Sequence, residues 1–204
     1  MKILYAPGMG RDLKILSEFR GALQKQFGEL KIFNLPYDVG EFDPKNIRQI
    51  AENDCRWWIG LSLGGSLLYY LTAHCPEEKL PQRLTVINPF SCRKELAVER
   101  GFDLTGQWIF SPKEISARVK IFDAVISMND SSVPIHHGIR LLNLARSEIK
   151  NLIFVEANHQ ITDVQTQLEV ADVLIKLHAG DFNFDSSNSC HVYKQCGKIS
   201  SRAD

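Results

Sequence analysis

The chain alternates short β-like runs with longer helix-like stretches, which predicts an α/β fold built on a doubly wound, mostly parallel sheet with helices on both faces. Two observations carry this expectation. Six short apolar runs recur along the sequence, several of them closed by Pro, Gly or a polar turn. Between most of them, apolar residues return at the three-to-four-residue spacing of a helix that buries one face. The length of 204 residues suits one domain with one substantial core.

Lys2 to Ala6 reads as the first strand and ends in the tight loop Pro7-Gly8-Met9-Gly10. Leu13, Leu16, Phe19, Leu23 and Phe27 then mark a helix stopped by Gly28. Leu30 to Leu35 is the second strand, halted by Pro36, and Asp43-Pro44 opens a helix running to about Glu52. Arg56 to Gly60 is the third strand. The helix after it carries Leu63, Leu67, Tyr70, Leu71 and His74 on one face. Leu84 to Asn88, Ala124 to Met128 and Asn151 to Val155 are the remaining strands. The last helix runs through Val164, Leu168, Ala171, Leu174 and His178 to Gly180. The stretch from Phe90 to Lys120 interrupts this rhythm and reads as a small helical insertion over the sheet edge. Residues 181–204 are polar and aperiodic, and are expected to be disordered or loosely attached.

Bulk properties exclude several functions. The formal net charge is zero, so nothing draws the chain electrostatically to nucleic acid or to an acidic membrane. A neutral or weakly charged substrate fits this balance. No apolar run approaches the roughly 20 residues that span a bilayer, and the apolar start is too short for a signal-peptide core. A cytoplasmic location is the default expectation. The five cysteines are odd in number and irregularly spaced, which reads as free thiols rather than a disulfide framework. No His/Cys/Asp group has metal-ligand spacing, and no cofactor is expected. Gly8-Met9-Gly10 is too short for a dinucleotide fingerprint, since position 13 is Leu.

The sharpest feature is Gly60-Leu61-Ser62-Leu63-Gly64-Gly65, a G-x-S-x-G pattern placed between an apolar run and an amphipathic helix. Such a turn lifts a Ser hydroxyl clear of the sheet, and only small residues two positions either side avoid collisions. The next amide, that of Leu63, is expected to point into the site and donate to an oxyanion. A phosphate-binding turn is the competing reading, but no Lys-Ser/Thr pair supports it.

On these residues the chain resembles the α/β-hydrolase superfamily, in a short form lacking the first two antiparallel strands. The resemblance covers about residues 1 to 178 and implies the strand order 2-1-3-4-5-6. It also implies a triad in the chain order Ser, acid, His. Asp130, at a strand end and followed by Ser131-Ser132-Val133-Pro134, matches the acid loop. Asp123 precedes its strand and would sit at the wrong edge. His159, just past the last strand in Ala157-Asn158-His159, matches the base, although Asn158 replaces the commoner Gly. The family's second oxyanion amide falls on Met9, with Pro7 standing where His is usual. His136 and His137 read as solvated residues at a helix start.

The implied activity is hydrolysis of a carboxylic ester or thioester through an acyl-enzyme. Acyl transfer on the same triad, and a non-catalytic ligand-binding module, are the alternatives. Trp108 and Phe110 of the insertion, and Tyr37 after the second strand, are candidate substrate contacts. The expected partner is a small acyl ester or thioester, free or carrier-bound, with no role for nucleic acid or membrane.

Overall fold

The computed structural model describes residues 1–8, 14–33, 54–103 and 111–180, together with the backbone of one further strand. The apolar runs form β1 (Ile3–Ala6), β2 (Leu30–Ile32), β3 (Trp57–Leu61), β4 (Arg83–Ile87), β5 (Ile121–Ser127) and β6 (Ile149–Val155). These six strands lie in the expected order 2-1-3-4-5-6, and every pairing is parallel. A seventh strand, β7 (Cys190–Gln195), pairs in parallel with β6 from Lys150↔Cys190 to Val155↔Gln195. It arises within the segment expected to be disordered or loosely attached. The physical opening is the outer edge of β6, whose backbone donors and acceptors a polar strand satisfies as well as an apolar one.

Five helices surround the sheet among the described residues: α1 (Ser17–Phe27), α2 (Leu63–Thr72), α3 (Arg93–Arg100), α4 (Ile135–Leu144) and α5 (Val164–Ala179). Periodicity alone starts α1 at Leu13. The helix instead begins at Ser17, because Leu16 adopts the left-handed φ of 59° and closes the turn before it. Its side chain is still buried, which is why it falls into the apolar pattern. The helix expected at 43–52 lies outside the described residues. None of the described helices is long and apolar enough to cross a membrane. Cys55, Cys75 and Cys92 are buried.

Alternate side chains of each strand feed two cores, as the period of two requires. Leu4, Trp58, Leu84, Phe122 and Ala124 pack with Leu67, Leu68 and Leu71 of α2 and Leu141 and Leu142 of α4. Ile3, Tyr5, Ile59, Val125 and Ile153 pack on the other face with Phe19 and Leu23 of α1 and Val170 and Leu174 of α5. Burial on both faces explains why the strands read as continuous apolar runs rather than alternating ones.

One buried ionic cluster interrupts this core near the amino ends of β4 and β5. Asp123 accepts hydrogen bonds from Arg83 Nε (2.6 Å) and Nη2 (3.0 Å), Thr85 Oγ1 (2.5 Å) and Asn151 Nδ2 (2.7 Å). The Arg83 guanidinium also lies 4.6 Å from the Trp57 ring centroid. Asp123 therefore sits at the opposite end of its strand from Asp130, and its carboxylate is spoken for. Asp123→Ala leaves a buried guanidinium uncompensated and should cost about 3–5 kcal/mol of stability, read by urea denaturation.

Candidate active site

The turn between β3 and α2 dictates the glycine pattern. Ser62 has φ 50° and ψ −118°, a conformation that non-glycine residues rarely adopt. The surrounding backbone holds it there. A Cβ on Gly64 would stand 2.4 Å from the carbonyl oxygens of both Ala6 and Pro7, and one on Gly60 would stand 2.5 Å from Gly65 backbone. Only glycine allows β1, β3 and α2 to approach so closely. The Ser62 amide donates to the Ile87 carbonyl at 2.7 Å, and the Ser62 carbonyl accepts from the Ser66 amide at 2.9 Å. Ser62 thus ends β3 beside β1, where the strand order reverses and open α/β sheets place their ligands.

Two loops from distant parts of the chain converge on this hydroxyl. His159, past the end of β6, places Nε2 2.9 Å from Ser62 Oγ. Its Nδ1 lies 2.6 Å from Asp130 Oδ2, past the end of β5. The other carboxylate oxygen, Oδ1, accepts from the amides of Ser132 (2.7 Å) and Val133 (2.8 Å). Facing a carboxylate, Nδ1 carries the imidazole proton, which leaves the Nε2 lone pair toward the serine hydroxyl. The Asp130 side chain is only 2% exposed and that of His159 18%, so the carboxylate is shielded while the imidazole opens to the pocket. Leu63 begins α2, so its amide has no acceptor carbonyl within the helix.

Asn88 escapes sequence reasoning and ties these loops together. It follows β4 with a positive φ of 48°. Its Nδ2 donates to Ser127 Oγ (2.8 Å) and to the His159 carbonyl (2.7 Å), and its Oδ1 accepts from the Ser127 amide (2.7 Å). One buried amide side chain therefore fixes both the end of the acid-bearing strand and the backbone of the histidine. The only sequence signal is an Asn before Pro89 at a strand end, which reads equally as a stop. Ser66 acts similarly: its Oγ donates to the Ser62 carbonyl and accepts from the Phe90 amide.

Ser62 and His159 open into a cavity of about 540 Å³. Its apolar walls include Leu61, Leu63, Phe90, Leu96 and Phe102, and Ser131, Ser132 and Gln160 add polar groups. The insertion after β4 contributes to this wall through α3, so it covers the pocket rather than only the sheet edge. The expected contacts Met9, Tyr37, Trp108 and Phe110 all lie outside the described residues. Phe90, Leu96 and Phe102, all within the stretch read as an insertion, are the apolar residues that it gives to this wall.

His137 corrects an expectation, for it is fully buried rather than solvated. Its Nδ1 accepts from the Ser91 amide at 3.1 Å, so Nε2 carries the proton and donates to Glu99 at 3.2 Å. Burial, and then the neighbouring His136, hold its imidazole below the ordinary histidine range. Glu99 also meets His136, which is half-exposed. These three residues bring possible metal ligands together. The proton on His137 Nε2 makes the group a hydrogen-bonded clasp between α3 and α4 instead.

No protein-family model matches the chain, and no curated protein sequence matches it. Its fold is shared with solved structures. The esterase domain of a Rhodothermus marinus protein superposes with a TM-score of 0.64 at 19% identity, over 86% of this chain and 84% of that one. Mouse alpha/beta hydrolase domain-containing protein 10 gives 0.64 at 15% identity, over 89% and 90%. A monoacylglycerol lipase from Paleococcus ferrophilus gives 0.62 at 14% identity, over 89% and 95%. The chain has the α/β-hydrolase fold.

Proposed function

We propose that this protein is a serine hydrolase that cleaves a carboxylic ester or thioester through an acyl-enzyme. The observation that carries the reading is the hydrogen-bonded chain from Ser62 through His159 to Asp130, at a strained turn that opens into a pocket. A pocket that only bound ligand would have no use for the strain held at Ser62. The esterase and lipase named among the structural neighbours agree in reaction class.

In this mechanism Ser62 Oγ attacks the acyl carbonyl while His159 Nε2 takes its proton. Asp130 holds the imidazole in the reactive tautomer and stabilises the imidazolium. The Leu63 amide, with Met9 as the proposed second donor, stabilises the tetrahedral oxyanion; one such donor is worth about 100- to 1,000-fold in kcat. The imidazolium protonates the departing alkoxide or thiolate. Water then enters, gives a proton to Nε2 and releases the acid, which restores Ser62. The apolar wall suits an acyl chain, and an acceptor other than water would turn the same intermediate toward acyl transfer.

The purified protein should hydrolyse p-nitrophenyl butyrate and a butyryl thioester at rates that one equivalent of a fluorophosphonate abolishes. Hydrolysis of neither, or hydrolysis indifferent to the fluorophosphonate, contradicts the proposal.

A further inference from the structure

The lining of the cavity divides by chain origin. Leu63, Phe90, Leu96 and Phe102, from the start of α2 and the stretch after β4, form an apolar group, and the first three are buried. Ser131, Ser132 and Gln160, from the loops after β5 and β6, also line it and are exposed. The lining's two arginines, Arg93 and Arg100, come from α3 and not from these loops. Hydrocarbon thus lines the interior of the cavity, and hydroxyl and amide groups line its mouth.

Proton delivery decides which half of an ester meets which part of this lining. As the bond from the acyl carbon to the alcohol oxygen breaks, that oxygen keeps the electron pair and takes the proton from His159 Nε2. The alcohol must therefore leave beside the imidazole. Gln160 follows His159 directly in the chain. Ser132 donates its amide to Asp130 Oδ1 at 2.7 Å, and Asp130 Oδ2 lies 2.6 Å from His159 Nδ1. The polar mouth is thus built onto the groups that protonate the alcohol, and the buried hydrocarbon is left for the acyl chain.

The chemistry of the mouth selects the alcohol. A serine hydroxyl and a glutamine amide each donate and accept hydrogen bonds and carry no charge. No carboxylate side chain stands among the described residues of the lining to hold a cation there. An alkyl alcohol would displace water from these groups without replacing its hydrogen bonds, which loses affinity. An alcohol with further hydroxyls replaces them.

We infer that the substrate is an ester of an apolar acid with a polyhydric alcohol, whose free hydroxyls bind Ser131, Ser132 and Gln160 while its ester oxygen lies at His159. This rests on the ester-cleaving function proposed above and adds the class of the leaving group.

Glycerol monobutyrate and propyl butyrate test the inference, because they share the acyl group and a three-carbon alcohol and differ in two hydroxyls. The ratio of their kcat/KM values, divided by the ratio of their alkaline hydrolysis rates, should be about tenfold, as two or three net hydrogen bonds provide. Combining Ser131→Ala, Ser132→Ala and Gln160→Leu should collapse that quotient, chiefly through KM for the glycerol ester. A disturbance of His159 alone would slow both esters alike and leave the quotient unchanged. Gln165→Leu, the same replacement outside the pocket lining, should also leave it intact. Equal kcat/KM values after that correction, or a quotient that survives the triple substitution, overturns the inference while leaving the hydrolase assignment standing. Calorimetric binding of the two esters to the Ser62→Ala protein decides the matter without turnover. Tighter binding of the glycerol ester there sustains the inference even if neither ester is cleaved, and equal binding rejects it.

Discussion

Ser62→Ala should lower kcat for ester hydrolysis by on the order of 10⁶-fold, the loss typical of removing a nucleophile that acts as a unit with its base. The reasoning is local. Ser62 Oγ is the group 2.9 Å from His159 Nε2, and alanine removes that oxygen alone. Alanine keeps the Cβ that already tolerates φ 50°, so the turn holds the same strain before and after. The pocket, the Leu63 amide and the histidine remain. Substrate binding should therefore survive, with KM within a few-fold, and the thermal transition should stay within a few degrees. Residual activity above a tenth of the wild type would mean that another group attacks the carbonyl.

Asp130→Asn should lower kcat by about 10⁴-fold with the fold intact. The size follows from how the carboxylate is held. Oδ1 accepts two backbone amides, from Ser132 and Val133, so the carbonyl oxygen of an asparagine must occupy that position. Its NH₂ group then faces His159 Nδ1, the atom 2.6 Å from Oδ2 in the native chain. Two donors cannot share one contact, so the imidazole proton moves to Nε2. There it points at Ser62, and the base no longer has a lone pair to offer. The loss should fall in kcat while KM changes little. Asp123→Ala gives the opposite signature, a large loss of stability, because that carboxylate compensates Arg83 inside the sheet. Kinetics and denaturation of the two variants thus separate the acid within β5 from the one past its end.

The choice between these aspartates is legible in the sequence because it depends on order along a strand. An acid after Val125-Ile126-Ser127 lies at the end of the sheet where Ser62 and His159 also emerge, and one before Ala124 lies toward the other. The turn at Ser62 is legible for a similar reason, since its glycines answer to contacts within a few residues and to β1. Asn88 is not legible, because its partners lie 39 and 71 residues away and any strand-ending Asn looks the same. The Arg83–Asp123 pair, 40 residues apart, is hidden likewise. The start of α1 is misread because Leu16 keeps its apolar spacing while leaving helical geometry. β7 is missed because an edge strand needs backbone pairing more than an apolar pattern. The arginines of α3 share a helix with two glutamates, and composition alone does not tell which face meets the pocket.

Mass mapping of the protein after reaction with a fluorophosphonate reads most directly whether this hydroxyl is activated by its imidazole. One adduct per chain is predicted, on the peptide carrying residue 62, and it should form far more slowly when His159 is replaced by glutamine. An adduct elsewhere, or unchanged labelling of that peptide without the imidazole, would contradict the arrangement on which the proposed chemistry depends.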